Sequence, residues 1–350
     1  MIYKIDTKYR KYDTLESVAG LLEDLEKCSR EISTLDLSFN TFTPVVFAEV
    51  ARIIKKMHRL KSVLLESFLD SLDFAEMTAV VTELCDALPR DLVSFEMPSN
   101  ALSCNYPAAL HSFLAECPLH VLNLHNCGLG EEGLKRLVDA LGQLEDRERL
   151  QVLNLSKNRI NRICPSFGAL FSSFVNVTDL RLRANTIEET SMCEFLAAVT
   201  NERLSILDLS DNFVCGGCHR ALGELFLRTE IEHLYLQDAK MDDGGLNEFL
   251  EIVLTKRVQD LPGGMAGAKP SLFLDISCLD FEQDSVEPLE RLAALFCIKR
   301  LVLFDNNYED ISRLREMVEE DGGTVVDQEE EEEASVFEVD KSLLEKIKGM

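Results

Sequence analysis

One spacing of apolar residues recurs along the chain: an apolar residue, two others, Leu, one other, Leu, two others, then Asn or Cys. Ile32, Leu35, Leu37 and Asn40 fit it, as do Leu92, Phe95, Met97 and Asn100. Leu119, Leu122, Leu124 and Cys127 follow, then Leu150, Leu153, Leu155 and Asn158, and then Val177, Leu180, Leu182 and Asn185. Leu204, Leu207, Leu209 and Asn212 repeat it, and Ile298, Leu301, Leu303 and Asn306 close the series. Weaker copies end at Phe68, Ala239 and Leu279. The alternation within each core predicts a short strand with one buried face. The closing asparagine turns inward, where its amide satisfies backbone groups of adjacent coils that would otherwise be buried unpaired. Cysteine fills that place as a small group with a weak donor. After each strand the period changes to that of a helix. Leu134, Leu137, Val138 and Leu141 form one apolar stripe, Met192, Phe195, Leu196 and Val199 a second, and Leu246, Phe249, Leu250 and Val253 a third.

Successive closing positions lie 28, 32, 27, 31, 27, 27, 27, 40 and 27 residues apart. A recurring step of 27, sometimes lengthened, is the signature of leucine-rich repeats. The fold expected is an α/β solenoid, a horseshoe of about ten repeats, with parallel strands on the concave face and helices on the convex face; no coil is stable alone. Residues 1–31 read as an N-terminal cap, with a strand at Ile2–Ile5 and a helix from Leu15 to Leu25, and the repeats run over 32–320. The long step holds an insertion at about 255–269 whose Pro262-Gly-Gly-Met-Ala-Gly is loop chemistry; a partner-contacting loop and a neutral insertion both fit it. Residues 321–350 read as a disordered acidic tail, because the block Asp327 to Glu333 repels itself, and Phe337 to Ile347 suits a capping or docking helix.

Charge narrows the partners. Aspartate and glutamate number 62 against 36 lysines and arginines, a formal net charge of −26. Such a chain repels a phosphate backbone, so no nucleic acid is expected, while a basic protein would be attracted. Part of that excess is also what a solvated tail would carry. No apolar run approaches the roughly 20 residues that span a bilayer, and the N-terminus has no secretory pattern. The eleven cysteines, many within apolar stretches, read as reduced and mostly buried thiols of a cytosolic or nuclear protein.

Catalytic chemistry is sparse. Cys215-Gly-Gly-Cys218, followed by His219, has thiol-pair spacing, but it sits at a strand-to-helix turn and no second pair stands at zinc spacing. The six histidines are scattered, and no phosphate-cradling Gly-rich loop ending in Lys-Ser or Lys-Thr is present. No self-sufficient active site, cofactor or metal is therefore expected. The informative positions are exposed ones on a regular frame. Residues just before the closing asparagine form a row at the strand-to-helix edge: Phe39, Ser99, Asn126, Lys157, Ala184, Asp211, Asp238 and Asp305. Strand residues expected on the concave side are Asn123, Asn154, Arg181, Arg183, Asp208 and Tyr235. Either set serves partner binding or is a generic solvated face.

The stretch Pro118-Leu-His-Val-Leu-Asn-Leu-His-Asn-Cys-Gly-Leu-Gly130 resembles the central repeat of Ran GTPase-activating proteins, which carry Leu-His-Asn-Asn-Gly-Leu-Gly there. Ser156-Lys-Asn-Arg-Ile160 resembles their Gly-Arg-Asn-Arg-Leu, Leu207 to Asn212 their Leu-Asp-Leu-Gln-Asp-Asn, and the acidic tail is also similar. The resemblance covers about residues 20–333, much of it generic repeat. It implies a monomeric activator of a Ran-type small GTPase in its GTP form, without a membrane span, in nucleocytoplasmic transport. It also implies a cytoplasmic place, extending to the nuclear envelope, and a Ran-binding protein as a further partner. In that family the activator inserts no arginine finger and instead holds the GTPase glutamine that orients water. The residue nearest that glutamine matches Asn126, whose amide donates and accepts without titrating. Partner contacts would come from Asn123, Lys157, Arg159, Arg181, Arg183, Asp208, Asp211, Tyr235 and Asp238. One departure stands out: the family has an arginine and a nearby lysine in an early strand-to-helix loop, where this chain has Phe68-Leu-Asp-Ser-Leu-Asp-Phe74. A non-catalytic repeat protein that binds or inhibits a basic partner, such as a ribonuclease, is the alternative. An acidic histone-binding repeat protein fits the tail but not the Asn126 stretch.

Overall fold

Each Leu-x-Leu core becomes a strand of a few residues, and the stripe that follows it becomes a helix laid against that strand. The computed structural model describes residues 1–260 and 269–329, which divide into two units between Asn158 and Arg159.

The first unit begins with β1 (Ile2–Lys4), β2 (Arg10–Tyr12) and α1 (Leu15–Cys28). It continues through β3 (Thr34–Asp36), β4 (Asn40–Phe42), α2 (Pro44–Ile54), β5 (Ser62–Leu64) and α3 (Phe74–Ala87). It ends with β6 (Ser94–Glu96), α4 (Ala108–Glu116), β7 (Val121–Asn123), α5 (Gly130–Gly142) and β8 (Val152–Asn154). The strands stand in the order β1-β3-β5-β6-β7-β8, and β2 pairs with β4 in a separate two-stranded ladder. Every pair is parallel, and the register stacks Leu35, Val63, Phe95, Leu122 and Leu153 into one buried column. α1 and α3 open with capping boxes, Thr14 with Ser17 and Asp73 with Glu76, which satisfy donors that a helix start leaves unpaired.

The second unit holds α6 (Pro165–Phe171), β9 (Asp179–Arg181), α7 (Glu189–Ala198), β10 (Ile206–Asp208), α8 (Cys218–Arg228) and β11 (His233–Tyr235). It continues with α9 (Asp243–Asp260), β12 (Ser271–Asp275), α10 (Val286–Leu295), β13 (Cys297–Val302), α11 (Ser312–Glu320) and β14 (Thr324–Val326). These six strands also run parallel in chain order, and Leu180, Leu207, Leu234, Leu274, Leu301 and Val325 share a column.

The closing asparagines bind the coils together. Asn100 is fully buried; its Oδ1 accepts the N–H groups of Phe68 and Leu69 at 2.9 and 2.8 Å. Its Nδ2 donates to the carbonyls of Leu65, Met97 and Pro98 at 2.8, 3.0 and 2.9 Å. Asn158 serves Cys127, Leu129 and Leu124 in the same way, and Asn306 serves Leu279 and Ile276. Phe68 and Leu279, where the motif is degenerate, therefore occupy the regular place.

The repeat count and its ends differ from expectation. The described residues hold six parallel strands in each unit's main ladder, twelve coils against about ten expected. The additions are β1, expected as a cap, and β14, which lies within the span 321–350 assigned to the tail. The β-branched run Thr324-Val-Val326 suits a strand. Gly323 lets it approach, since a Cβ there would lie 1.9 Å from the Ile298 carbonyl oxygen. Arg315 fixes it by donating to the Val325 carbonyl and pairing with Asp327 at 2.6 Å. The insertion starts later than read: α9 continues to Asp260, so 255–260 is helix and not loop. Pro262 to Gly267, the glutamates from 330 onward and Phe337 to Ile347 lie outside the described residues. All eleven cysteines are free thiols; Cys85, Cys117, Cys127 and Cys218 are buried and the other seven are half-buried, none of them fully exposed. Among the described residues no helix is long and apolar enough to cross a membrane.

Candidate functional site

The row before the closing asparagines has a common backbone. In the first unit Phe39, Ser67, Ser99, Asn126 and Lys157 all have φ between 46° and 61°. In the second, Ala184, Asp211, Asp238, Cys278 and Asp305 have φ between 48° and 57°. A left-handed residue turns the chain sharply at the end of the strand, so the next side chain points inward and this one stays at the edge.

Asn126 is held there on both sides. Its N–H donates to the Ser156 carbonyl at 2.9 Å, and the preceding His125 carbonyl accepts from Ser99 N–H at 2.8 Å. Cys127 behind it is fully buried; its N–H goes to Asn158 Oδ1 at 3.0 Å and its thiol to the Met97 carbonyl at 3.1 Å. The Asn126 side chain is exposed, with Nδ2 3.5 Å from Ser99 Oγ. The result is a primary amide on a fixed backbone, aimed outward, with Lys157 exposed in the next coil. Asparagine is among the few residues that tolerate this backbone readily.

Asn123 does not join it. It is buried, and its Oδ1 accepts the His125 N–H at 3.0 Å. Asp36 and Asn154 do the same for Ser38 and Ser156, and in the second unit Asp208 and Asp275 do so for Ser210 and Ser277. Asn123 and Asp208, expected as displayed contact residues, are turn residues. Their oxygens occupy the backbone N–H two positions on, as Asn and Asp do in tight turns.

In the second unit Arg159 is exposed. Arg181 is engaged with its own strand: Nε and Nη2 donate to the two oxygens of Asp179, each at 3.0 Å. Burial pushes the Asp179 carboxyl above its usual range, against the pull of Arg181. Arg183 reaches Asp211 at 3.1 Å and Gln237 Oε1 at 2.7 Å, and Asp238 pairs with Lys240. Tyr235 lies half-buried against Phe273, ring centres 5.1 Å apart, with His233 stacked on Phe273 at 5.4 Å and Arg300 over the same ring at 5.9 Å. Of these expected contact residues Arg183 and Asp211 pair with each other, while Arg181, Asp238 and Tyr235 are engaged by Asp179, Lys240 and Phe273. Phe273 is hidden in the sequence because β12 follows the long insertion and carries the degenerate motif, and His233 of β11 and Arg300 of β13 meet its ring from the neighbouring strands.

The CysGlyGlyCys motif sits at the start of α8, with Cys218 bonded through its thiol to the Glu189 carbonyl at 3.2 Å and Cys215 to Glu189 Oε2 at 3.5 Å. Cys193 of α7 lies beside this turn, its sulfur 3.6 Å from where a Cβ on Gly217 would stand, a third thiol that sequence spacing could not reveal.

Asp208 offers a direct test of the turn reading. Burial raises its carboxyl pKa, outweighing the Ser210 N–H and the nearby Arg183 and Arg181. A carboxyl that holds its proton more tightly when folded costs stability as pH rises from its unfolded pKa through its folded one. Asp208→Asn keeps the turn acceptor, as Asn123 and Asn154 do, and removes the charge. We expect it to stabilise the fold at pH 7, with parent and variant converging as pH falls to the ordinary carboxylate range. Thermal unfolding across that range checks this; a variant less stable than the parent at pH 7 contradicts it.

A family model, Leucine Rich Repeat, matches residues 149–170. No curated protein matches the chain. Among solved structures, the chain is similar to that of the TLR13–ssRNA13 complex at 17% identity and a TM-score of 0.46, over 81% of this chain and 34% of that one. It is also similar to an internalin (InlF) from Listeria monocytogenes at 13% identity and a TM-score of 0.42, over 92% of this chain and 72% of that one. The chain thus spans about a third of the TLR13 chain. The repeat match, together with the period of the strands and their parallel coils, makes this a leucine-rich-repeat protein.

Proposed function

We propose that the chain is a GTPase-activating protein for a Ran-type small GTPase, a protein-binding scaffold with no active site of its own. The placement of Asn126 carries the reading. The resemblance assigns it the role of holding the partner's water-orienting glutamine, and its amide is exposed on a backbone fixed from both sides. A small GTPase hydrolyses GTP slowly when that glutamine is poorly held. An amide can donate to the glutamine carbonyl and accept from its NH2 at once, so the glutamine loses its rotational freedom before the reaction and not during it. No arginine finger is required, and Arg181 and Arg183 are engaged within the second unit. On this reading the protein acts in the cytoplasm in nucleocytoplasmic transport. Single-turnover hydrolysis of GTP on Ran tests it: added chain should speed phosphate release, and no change at a stoichiometric excess defeats it.

The acidic edge positions Asp211, Asp238 and Asp305 favour one second reading, a non-catalytic binder of a basic protein. Co-elution with a basic ribonuclease at low salt, and not with Ran·GTP, would select it.

A further inference from the structure

In the first unit, large apolar side chains stand at the first turn of three consecutive helices: Leu15 of α1, Val45 of α2 and Phe74 of α3. The next two helices of that unit begin with Ala108 and with Gly130-Glu131. Leu15, Val45 and Phe74 are 50, 70 and 59% exposed, and Tyr9 is 79% exposed. The first turn of a helix favours acidic and capping residues, and nothing in the coil buries these side chains, so the fold does not call for them.

They share the strand-to-helix edge. Tyr9 has the left-handed backbone of the edge row, and its ring lies 5.6 Å from that of Phe39. Lys11 Nζ donates to the Ser71 carbonyl at 3.2 Å, joining the strand after Tyr9 to the loop that leads into Phe74. α1 packs on α2, and α2 on α3. Large exposed apolar side chains at the same place on neighbouring coils mark an interaction surface.

The edge continues to Asn126. From the coil of Phe39 to that of Asn126 the ladder runs β3-β5-β6-β7, three steps, or about 15 Å at the usual strand spacing. A standard interface of about 800 Å² per partner is roughly 30 Å across, so one partner covers both. We propose that this apolar edge anchors the GTPase whose glutamine Asn126 holds, and that the GTPase meets it with an apolar patch of its own. The inference rests on the activator reading. It divides the labour: Asn126 acts in the reaction, and the Val45–Phe74 edge acts in binding, which raises affinity without changing the maximal rate.

The test is a Val45→Ser, Phe74→Ser double variant of the full chain, with Ran·GTP as substrate. We expect the KM for Ran·GTP to rise at least about tenfold, kcat to stay within twofold, on the order of experimental scatter, and thermal unfolding to be unchanged because both side chains are exposed. An unchanged KM overturns the proposal and leaves the activator reading standing. A parent chain that does not speed hydrolysis removes that reading and this partner together. A parent that sediments as a dimer which the variant dissociates overturns the proposal by showing the edge to be a contact between copies.

Discussion

Replacing Asn126 with alanine is expected to lower the maximal rate of stimulated GTP hydrolysis on Ran by at least about 100-fold, the scale seen when a positioned polar group is removed from a transition state. The fold should tolerate the change. Ala184 has φ 55° at the same repeat position, so alanine is compatible with this backbone, at a strain on the order of 1 kcal/mol. The hydrogen bonds that fix the turn come from backbone groups and from Asn158, not from the Asn126 side chain. Asn126→Asp makes the sharper comparison, since it keeps the size and an acceptor and loses the NH2 donor. It too should fail if the amide must donate to the glutamine carbonyl. Single-turnover hydrolysis, with thermal unfolding as the control for folding, separates the cases. Either variant stimulating at the parent's rate would end the assignment of Asn126 to the reaction.

The second large effect is structural. Asn100→Ala is expected to destabilise the protein by about 3–5 kcal/mol, because it leaves buried N–H and carbonyl groups of two coils without partners. Phe68, Leu69, Leu65, Met97 and Pro98 each lose a bond to a side chain that is fully buried. The amplitude should be largest here because one amide serves two coils at once. Asn100→Cys should cost less, since Cys127 in the next coil donates its thiol to the Met97 carbonyl from the same repeat position. Equilibrium unfolding in urea reads both. An alanine variant within about 1 kcal/mol of the parent, the scale of an ordinary surface substitution, would show that the ladder is not what joins neighbouring coils.

Period, strand polarity and the inward asparagines were legible in the sequence because a coil buries the same positions every time. The apolar columns through Leu122 and Leu207 are the motif itself, seen in three dimensions. The edge row was equally legible: a residue between a strand that ends and a side chain that must turn inward has one place to go. The extra coil at β14 was hidden by the acids downstream of it, whose charge dominates a reading by composition. Asn123 and Asp208 were misplaced for a different reason. Alternation along a strand tells which residues leave the core, but not which of those are then drawn into a turn by the N–H two positions on. The pairing of Arg181 with Asp179 and of Arg183 with Asp211 depends on neighbouring coils and on rotamers that a linear pattern does not contain. The exposed apolar row at Leu15, Val45 and Phe74 escaped notice because apolar residues inside an amphipathic helix read as core.

The left-handed edge also sets which letters the protein can write with. Phe, Ser, Asn, Lys, Ala, Asp and Cys occupy it, and none of the ten is β-branched. Branching at Cβ makes a positive φ a genuine outlier. The row most open to a partner thus carries only side chains unbranched at Cβ, while Thr186, whose φ is 53°, lies outside it and donates its hydroxyl to the Asn185 carbonyl. Over many generations a partner would meet a vocabulary chosen by backbone sterics before selection for binding had acted on it.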